Sequence, residues 1–276
     1  MFKEKIKTED FKETNRPKNR FYQFFDILKH RFLELLKLSM LQIMFNAPLF
    51  ANIILYYRVV IEGADVGMSM LIHAAILVVC LPCSFIGMSG TFYCIKKLAY
   101  SEGEYASSSF FVGLKEEWKK GLAIGLLAGL SAFLAIGGSY YLYSSLYPIN
   151  SWIAGFAVAI LQVQLVIVMM VCYYAMGQSV IYSNKLRYTL KNSFIMTLSR
   201  FHINLAIIIF FPAPIYVMAF FEIPAFIAIG ILALFAGIGH LGWMLNVLAA
   251  CDKFINKENY PDYYRKGLAN IETKEG

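Results

Sequence analysis

Residues Ser107 to Gly121 read SSSFFVGLKEEWKKG, and they run without a break into an apolar stretch. Wound as a helix, the segment sets Phe111, Leu114, Trp118 and Leu122 on one face. Lys115, Glu116, Glu117, Lys119 and Lys120 fall on the other faces. An aromatic underside with charged heads is the pattern of a helix lying at a membrane surface. The pattern recurs upstream and downstream. Phe25 and Phe32 are seven apart, as are Phe111 and Trp118, and Phe194 and Phe201; a leucine stands four residues after each second aromatic, at Leu36, Leu122 and Leu205. The three sets begin 86 and then 83 residues apart. This spacing points to an internal three-fold repeat, with units of about 21–100, 107–183 and 187–252. Each unit reads as an amphipathic helix, an outgoing span, a short turn and a returning span.

Composition supports spans. The chain of 276 residues is 59% hydrophobic and 16% charged. A soluble domain carries about 25% charged residues. Apolar runs long enough for a bilayer lie at about 33–57, 69–95, 121–146, 152–182, 202–221 and 225–251. Pro48, Pro82, Pro212 and Pro214 interrupt them, and Glu222 with Pro224 marks a tight turn between the last two. The expected fold class is therefore all-α integral membrane: six transmembrane helices as three hairpins, each preceded by an amphipathic cytoplasmic helix. Polar tails are expected at 1–20 and 253–276, the first of them poorly ordered.

Charge sets the expected topology. Lys and Arg number 10 in residues 1–37, 5 in 96–120, 4 in 185–200 and 5 in 253–274, which leaves Arg58 alone on the other side. Both termini are then expected in the cytoplasm. The net charge of +7 belongs to this asymmetry rather than to nucleic-acid binding. No cleavable signal is expected, because the first 31 residues lack an apolar core.

Residues 81–104, LPCSFIGMSGTFYCIKKLAYSEGE, carry a Leu81-Pro82, an Ile86-Gly87, a Ser89-Gly90-Thr91 turn, Tyr93, Lys96-Lys97 and Gly103-Glu104. In this block the chain resembles the YesL-like family of bacterial multi-span membrane proteins. Phe110-Phe111 to Trp118-Lys119 and Thr189-Leu190-Lys191-Asn192-Ser193 are similar to two further family blocks, and the resemblance extends over about 20–265. Cys83 and the Gly-Met-Ser-Gly turn at 87–90 depart from the family pattern. The resemblance implies an association with carbohydrate ABC importers. It implies no catalytic residue.

The chemistry-bearing residues fit that expectation. Cys80 and Cys83 form a C-x-x-C in mid-span, where cysteine serves as a small apolar residue, and no disulfide scaffold is expected from the five cysteines. His73 and His240 lack the companion ligands that zinc needs, so neither a metal nor another cofactor is expected. No Walker-type glycine-lysine stretch is present. No Asp, Glu, Lys or Arg falls deep within a span, where coupled carriers place one. Gln162, Gln164, Asn46 and Asn52 are the polar intramembrane contacts, either as interhelical glue or as the lining of a solute path. Gly121, Gly125 and Gly129 form a small-residue face for a helix of this chain or of a partner; Gly230, Ala233 and Gly237 form a second one. Tyr56, Tyr57, Tyr140, Tyr141, Tyr143, Tyr147 and Trp152 gather at the far ends of the spans as an aromatic belt. The aromatic faces Phe25, Phe32, Phe111, Trp118, Phe194 and Phe201 are expected at the cytoplasmic interface, in contact with the lipid bilayer.

Two functions are compatible with these features. One is a non-enzymatic accessory subunit that packs against importer permease subunits to stabilise or modulate uptake. The other is an autonomous small-solute carrier or channel lined by the glutamines and asparagines.

Overall fold

The computed structural model describes residues 16–63, 65–102, 106–210 and 225–269. All regular structure among them is helical. The helices are α1 (Arg20–His30), α2 (Phe32–Ile61), α3 (Val66–Ala99), α4 (Ala106–Leu146), α5 (Ser151–Ile181), α6 (Leu186–Ser199), α7 (Phe201–Phe210) and α8 (Ala225–Cys251). A π-helical turn, Asp252–Asn256, and two short turns, Lys257–Asn259 and Pro261–Tyr263, follow α8. Pro212, Pro214, Glu222, Pro224, Gly103, Glu104 and the side chain of Ala233 lie outside the described residues.

Five helical segments are long and apolar enough to cross a membrane: Phe32–Ile61, Val66–Ala99, Ser107–Leu146, Ser151–Ile181 and Leu234–Asn259. The pair α6 and α7 makes a sixth if it counts as one span, although it bends by 85° at Arg200. At about 1.5 Å per residue, α4 with its 41 residues reaches some 60 Å, about twice a hydrocarbon core. Its surplus length is the amphipathic Ser107–Gly121 segment, continuous with the span. The other two aromatic segments are separate helices, with α1 ending at Arg31 and α6 at Arg200. The three junctions thus differ in geometry.

Side-chain caps start three of these helices. Asn19 Oδ1 accepts from Tyr22 N, Asp65 Oδ1 from Met68 N, and Asn150 Oδ1 from Trp152 N and Ile153 N, satisfying N–H groups that have no intrahelical partner. Pro48 and Pro82 remain inside α2 and α3.

α3 is the central helix and packs against α2, α4, α5 and α8. The core occupies one end of the bundle. Leu35 and Leu38 of α2, Phe92 and Ile95 of α3, Ile124 of α4, Met170 and Tyr174 of α5, and Met244 and Leu248 of α8 are all buried there. The opposite end is open: Ile53 to Leu55, Tyr141, Tyr143 and Tyr147 are exposed, and so are Trp152, Phe156, Ile160 and Val163 of α5.

The described part of the C-terminal tail is folded. Residues 252–269 return to the end of the bundle that bears α1, and residues 16–20 are engaged there as well. Ala269 N donates to Pro17 O at 3.1 Å, and Arg265 Nη2 to Lys18 O at 2.9 Å. Gly267 has φ +82 and lies against the Ala99 carbonyl, where a Cβ would collide; only glycine fits both conditions.

Candidate functional site

The glycine face of α4 is used inside the chain. A Cβ on Gly121 would stand 2.9 Å from Phe85 O, one on Gly125 2.5 Å from Pro82 Cα, and one on Gly129 2.8 Å from Val78 Cα. Three missing side chains therefore let the α4 backbone close on the α3 backbone. Gly237 approaches α2 in the same way, and its N–H donates to Ser39 Oγ at 2.8 Å, whereas Gly230 faces open space.

The four amides expected within the spans also find partners in the chain. Gln162 Nε2 donates to Ser139 Oγ at 2.9 Å and Gln164 Nε2 to Ser131 Oγ at 3.0 Å, joining α5 to α4. Asn46 Oδ1 accepts from Ser84 Oγ at 2.6 Å and from Gln42 Nε2 at 3.2 Å. Gln42 continues the chain, accepting from Thr91 Oγ1 at 2.9 Å, so α2 and α3 share a four-residue polar network. Asn52 pairs with His73 through Nδ1 at 2.6 Å and donates to its carbonyl at 3.2 Å. A buried amide without such a partner would cost roughly several kcal/mol in hydrocarbon.

The six aromatic residues at the amphipathic segments are all on the surface, between 38% and 56% exposed. The sides that face the protein mix polar and apolar residues. α1 buries Arg20, Gln23 and Ile27 and turns Phe21, Tyr22 and Phe25 outward; α6 buries Thr189, Ser193, Met196 and Thr197 and turns Tyr188, Phe194 and Leu198 outward. Gln178 of α5 donates to Ser193 Oγ at 2.8 Å. The five cysteines are free, and no group of His, Cys, Asp and Glu that could hold a metal occurs among the described residues.

Sequence reading missed the polar assembly at the charged end. Arg20 reaches Asp252 with Nη2 at 2.9 Å and Nε at 3.2 Å, both side chains buried, across 232 residues of chain. Its Nη1 also donates to Gln23 Oε1 at 2.8 Å, and Gln23 Nε2 donates to the Ala99 carbonyl at 2.6 Å. Asp252 Oδ1 accepts from Asn256 Nδ2 at 2.8 Å and from Arg265 N at 3.2 Å, and Tyr182 OH donates to Asn256 Oδ1. Burial raises the Tyr182 and Tyr100 phenols above their ordinary value. A second cluster joins three helices: Asn246 Nδ2 donates to Asn204 Oδ1 at 2.7 Å and to Tyr174 OH at 3.0 Å. A visible signal for the first assembly was Asp252, an acid directly after an apolar run.

Between α1, α7, α8 and the folded tail lies a cavity of 840 Å³, within the usual range for small-molecule sites. Phe21, Phe24, Ile203, Ile207 and Leu245 supply its apolar wall. Arg20, Arg200, Lys253, Lys257 and Arg265 line it together with one acid, Asp252. No protein-family model, curated protein or solved structure matches the chain.

Proposed function

We propose that the protein is a multi-pass component of the bacterial plasma membrane, with both termini cytoplasmic, and that it acts as a non-enzymatic accessory subunit of a carbohydrate ABC importer. It packs against the permease and stabilises or modulates uptake. The resemblance to the YesL-like family at 81–104, 110–119 and 189–193 supplies the importer association. The observation that carries the accessory role is the pairing of Gln162, Gln164, Asn46 and Asn52 within the chain. These amides link helices to one another, Asn46 and Asn52 from buried positions, Gln164 from a half-buried one and Gln162 from an exposed one. Outward aromatic faces on the separate helices α1 and α6 fit helices at the lipid interface. The open, apolar end of α5 leaves a face for lipid or for a permease helix.

Mild-detergent purification of the tagged protein from its native membrane tests this reading. Permease subunits are expected to co-purify in fixed stoichiometry. A solitary protein that transports sugar after reconstitution would overturn it.

A further inference from the structure

The cavity at the charged end is graded from polar to apolar. Lys253 and Lys257 lie beyond the end of α8, and Arg265 lies in the tail folded beside them. Arg200 begins the α7 wall, and its Nη1 donates to the Asn246 carbonyl at 3.1 Å. From there, Ile203, Ala206 and Ile207 run along α7, while Ala249, Leu245 and Gly242 run along α8. Seven residues of helix separate Arg200 from Ile207, a rise of roughly 10 Å. The site therefore has a cationic head and an apolar body.

Charge complementarity names the occupant. Arg20 and Asp252 neutralise each other in their ion pair. Arg200, Lys253, Lys257 and Arg265 have no carboxylate within ion-pair distance among the described residues. Four cations without a carboxylate partner among the described residues, around one apolar cavity, match an anion that carries hydrocarbon. Phe21 and Phe25, outward on α1 and lining the cavity, give the site an apolar border at the surface where lipid would arrive.

We infer that this cavity binds one anionic phospholipid, with the phosphate among Arg200, Lys253, Lys257 and Arg265 and the acyl portion against α7 and α8. The inference requires the membrane placement proposed above and does not depend on any importer. The bound lipid bridges the folded tail, α1 and α7, tying the ends of the chain to the inner face of the bundle.

The test titrates the detergent-purified full chain with phosphatidylglycerol and, separately, with phosphatidylcholine, and counts bound lipid by native mass spectrometry. One phosphatidylglycerol per chain is expected, with phosphatidylcholine at least about tenfold weaker. Lys253→Gln with Lys257→Gln removes two exposed cations and should weaken phosphatidylglycerol roughly 10- to 30-fold at low salt. Lys115→Gln with Lys119→Gln removes the same charge from exposed positions on α4, away from the cavity, and should leave affinity within about twofold. Ala206→Trp fills the apolar wall and should abolish tight binding. Thermal melts of each variant report whether the fold is retained. Glycerol phosphate carries the same phosphate ester without acyl chains and should compete at least about 100-fold more weakly than the lipid. Equal retention of the two phospholipids would overturn the proposal. So would equal losses in the two double variants, or glycerol phosphate competing as well as the lipid, which would mark a site for a free anion.

Discussion

Replacing Gly125 with alanine adds one methyl group at the closest approach between α4 and α3. The new Cβ would stand 2.5 Å from Pro82 Cα, 2.9 Å from Pro82 N and 3.1 Å from Leu81 O. All three are backbone atoms, so no rotamer change relieves the clash and the helices must part. Overpacking of this kind costs about 1–3 kcal/mol, and more where backbones are forced apart. Alanine returns up to about 1 kcal/mol of helix propensity. The net expectation for Gly125→Ala is a loss of about 1–2 kcal/mol, and Gly125→Leu should lose more. Gly155 is the internal control, because a Cβ there meets nothing within 4 Å. Gly155→Ala keeps only the propensity gain and should be neutral or stabilising by up to about 1 kcal/mol. Thermal unfolding in detergent, followed by circular dichroism, separates the two. At about 2–4 °C per kcal/mol for a chain of this size, Gly125→Ala should melt about 2–8 °C lower, and Gly155→Ala no lower than the parent. A Gly125→Ala protein that melts with or above the parent would refute the close-packing argument.

Three further perturbations address other parts of the chain. Asp252→Ala leaves the buried Arg20 guanidinium unpaired and should cost about 3–5 kcal/mol. Limited proteolysis should then cut within 253–269 at lower temperature, and adding Arg20→Met should recover part of the loss; an unchanged cleavage pattern would count against the pair as the clasp. Gln162→Leu and Gln164→Leu each remove one α4–α5 hydrogen bond and should lower stability by only about 0.6–2 kcal/mol. Loss of sugar uptake in a cell assay at full protein level would instead assign them to a solute path. The folded protein holds the Tyr182 and Tyr100 protons more tightly than the unfolded chain does. Their contribution is therefore intact below the unfolded value near pH 10 and is lost as pH rises above it. Stability measured from pH 8 to 11 should fall less steeply in Tyr182→Phe than in the parent; equal slopes would remove Tyr182 from the account.

Much of the helical layout was legible in the sequence, because it depends on local pattern. The apolar run at about 121–146 is helical as expected, but Ser107–Gly121 continues it as a single helix, where the sequence pattern predicts a surface helix preceding the span. Phe25, Phe111 and Phe194 are exposed, because aromatic spacing reports a surface whatever lies behind it. The inward sides of α1 and α6 were harder to read. Arg20 and Gln23 look like solvent-facing residues until Asp252 and the Ala99 carbonyl arrive from elsewhere in the chain. The break at Arg31 and the bend at Arg200 fall within two residues of the boundaries expected at about 33 and 202, although neither site carries glycine or proline.

The sequence by itself determined which stretches can cross a bilayer, how charge divides between their ends, and which faces carry aromatic rings. These are sums and periods over neighbouring residues, and hydrocarbon or water reads them without reference to the rest of the chain. The tertiary structure decided which helix the glycines of α4 touch, which serine each glutamine finds, and where the tail comes to rest. It also decided that Arg200, Lys253, Lys257 and Arg265 share one cavity. Those outcomes depend on pairs of groups brought within about 3 Å from positions far apart in the chain, where desolvation makes a missing partner costly. No local pattern encodes such a pair, because each member is an ordinary polar residue until the other is beside it.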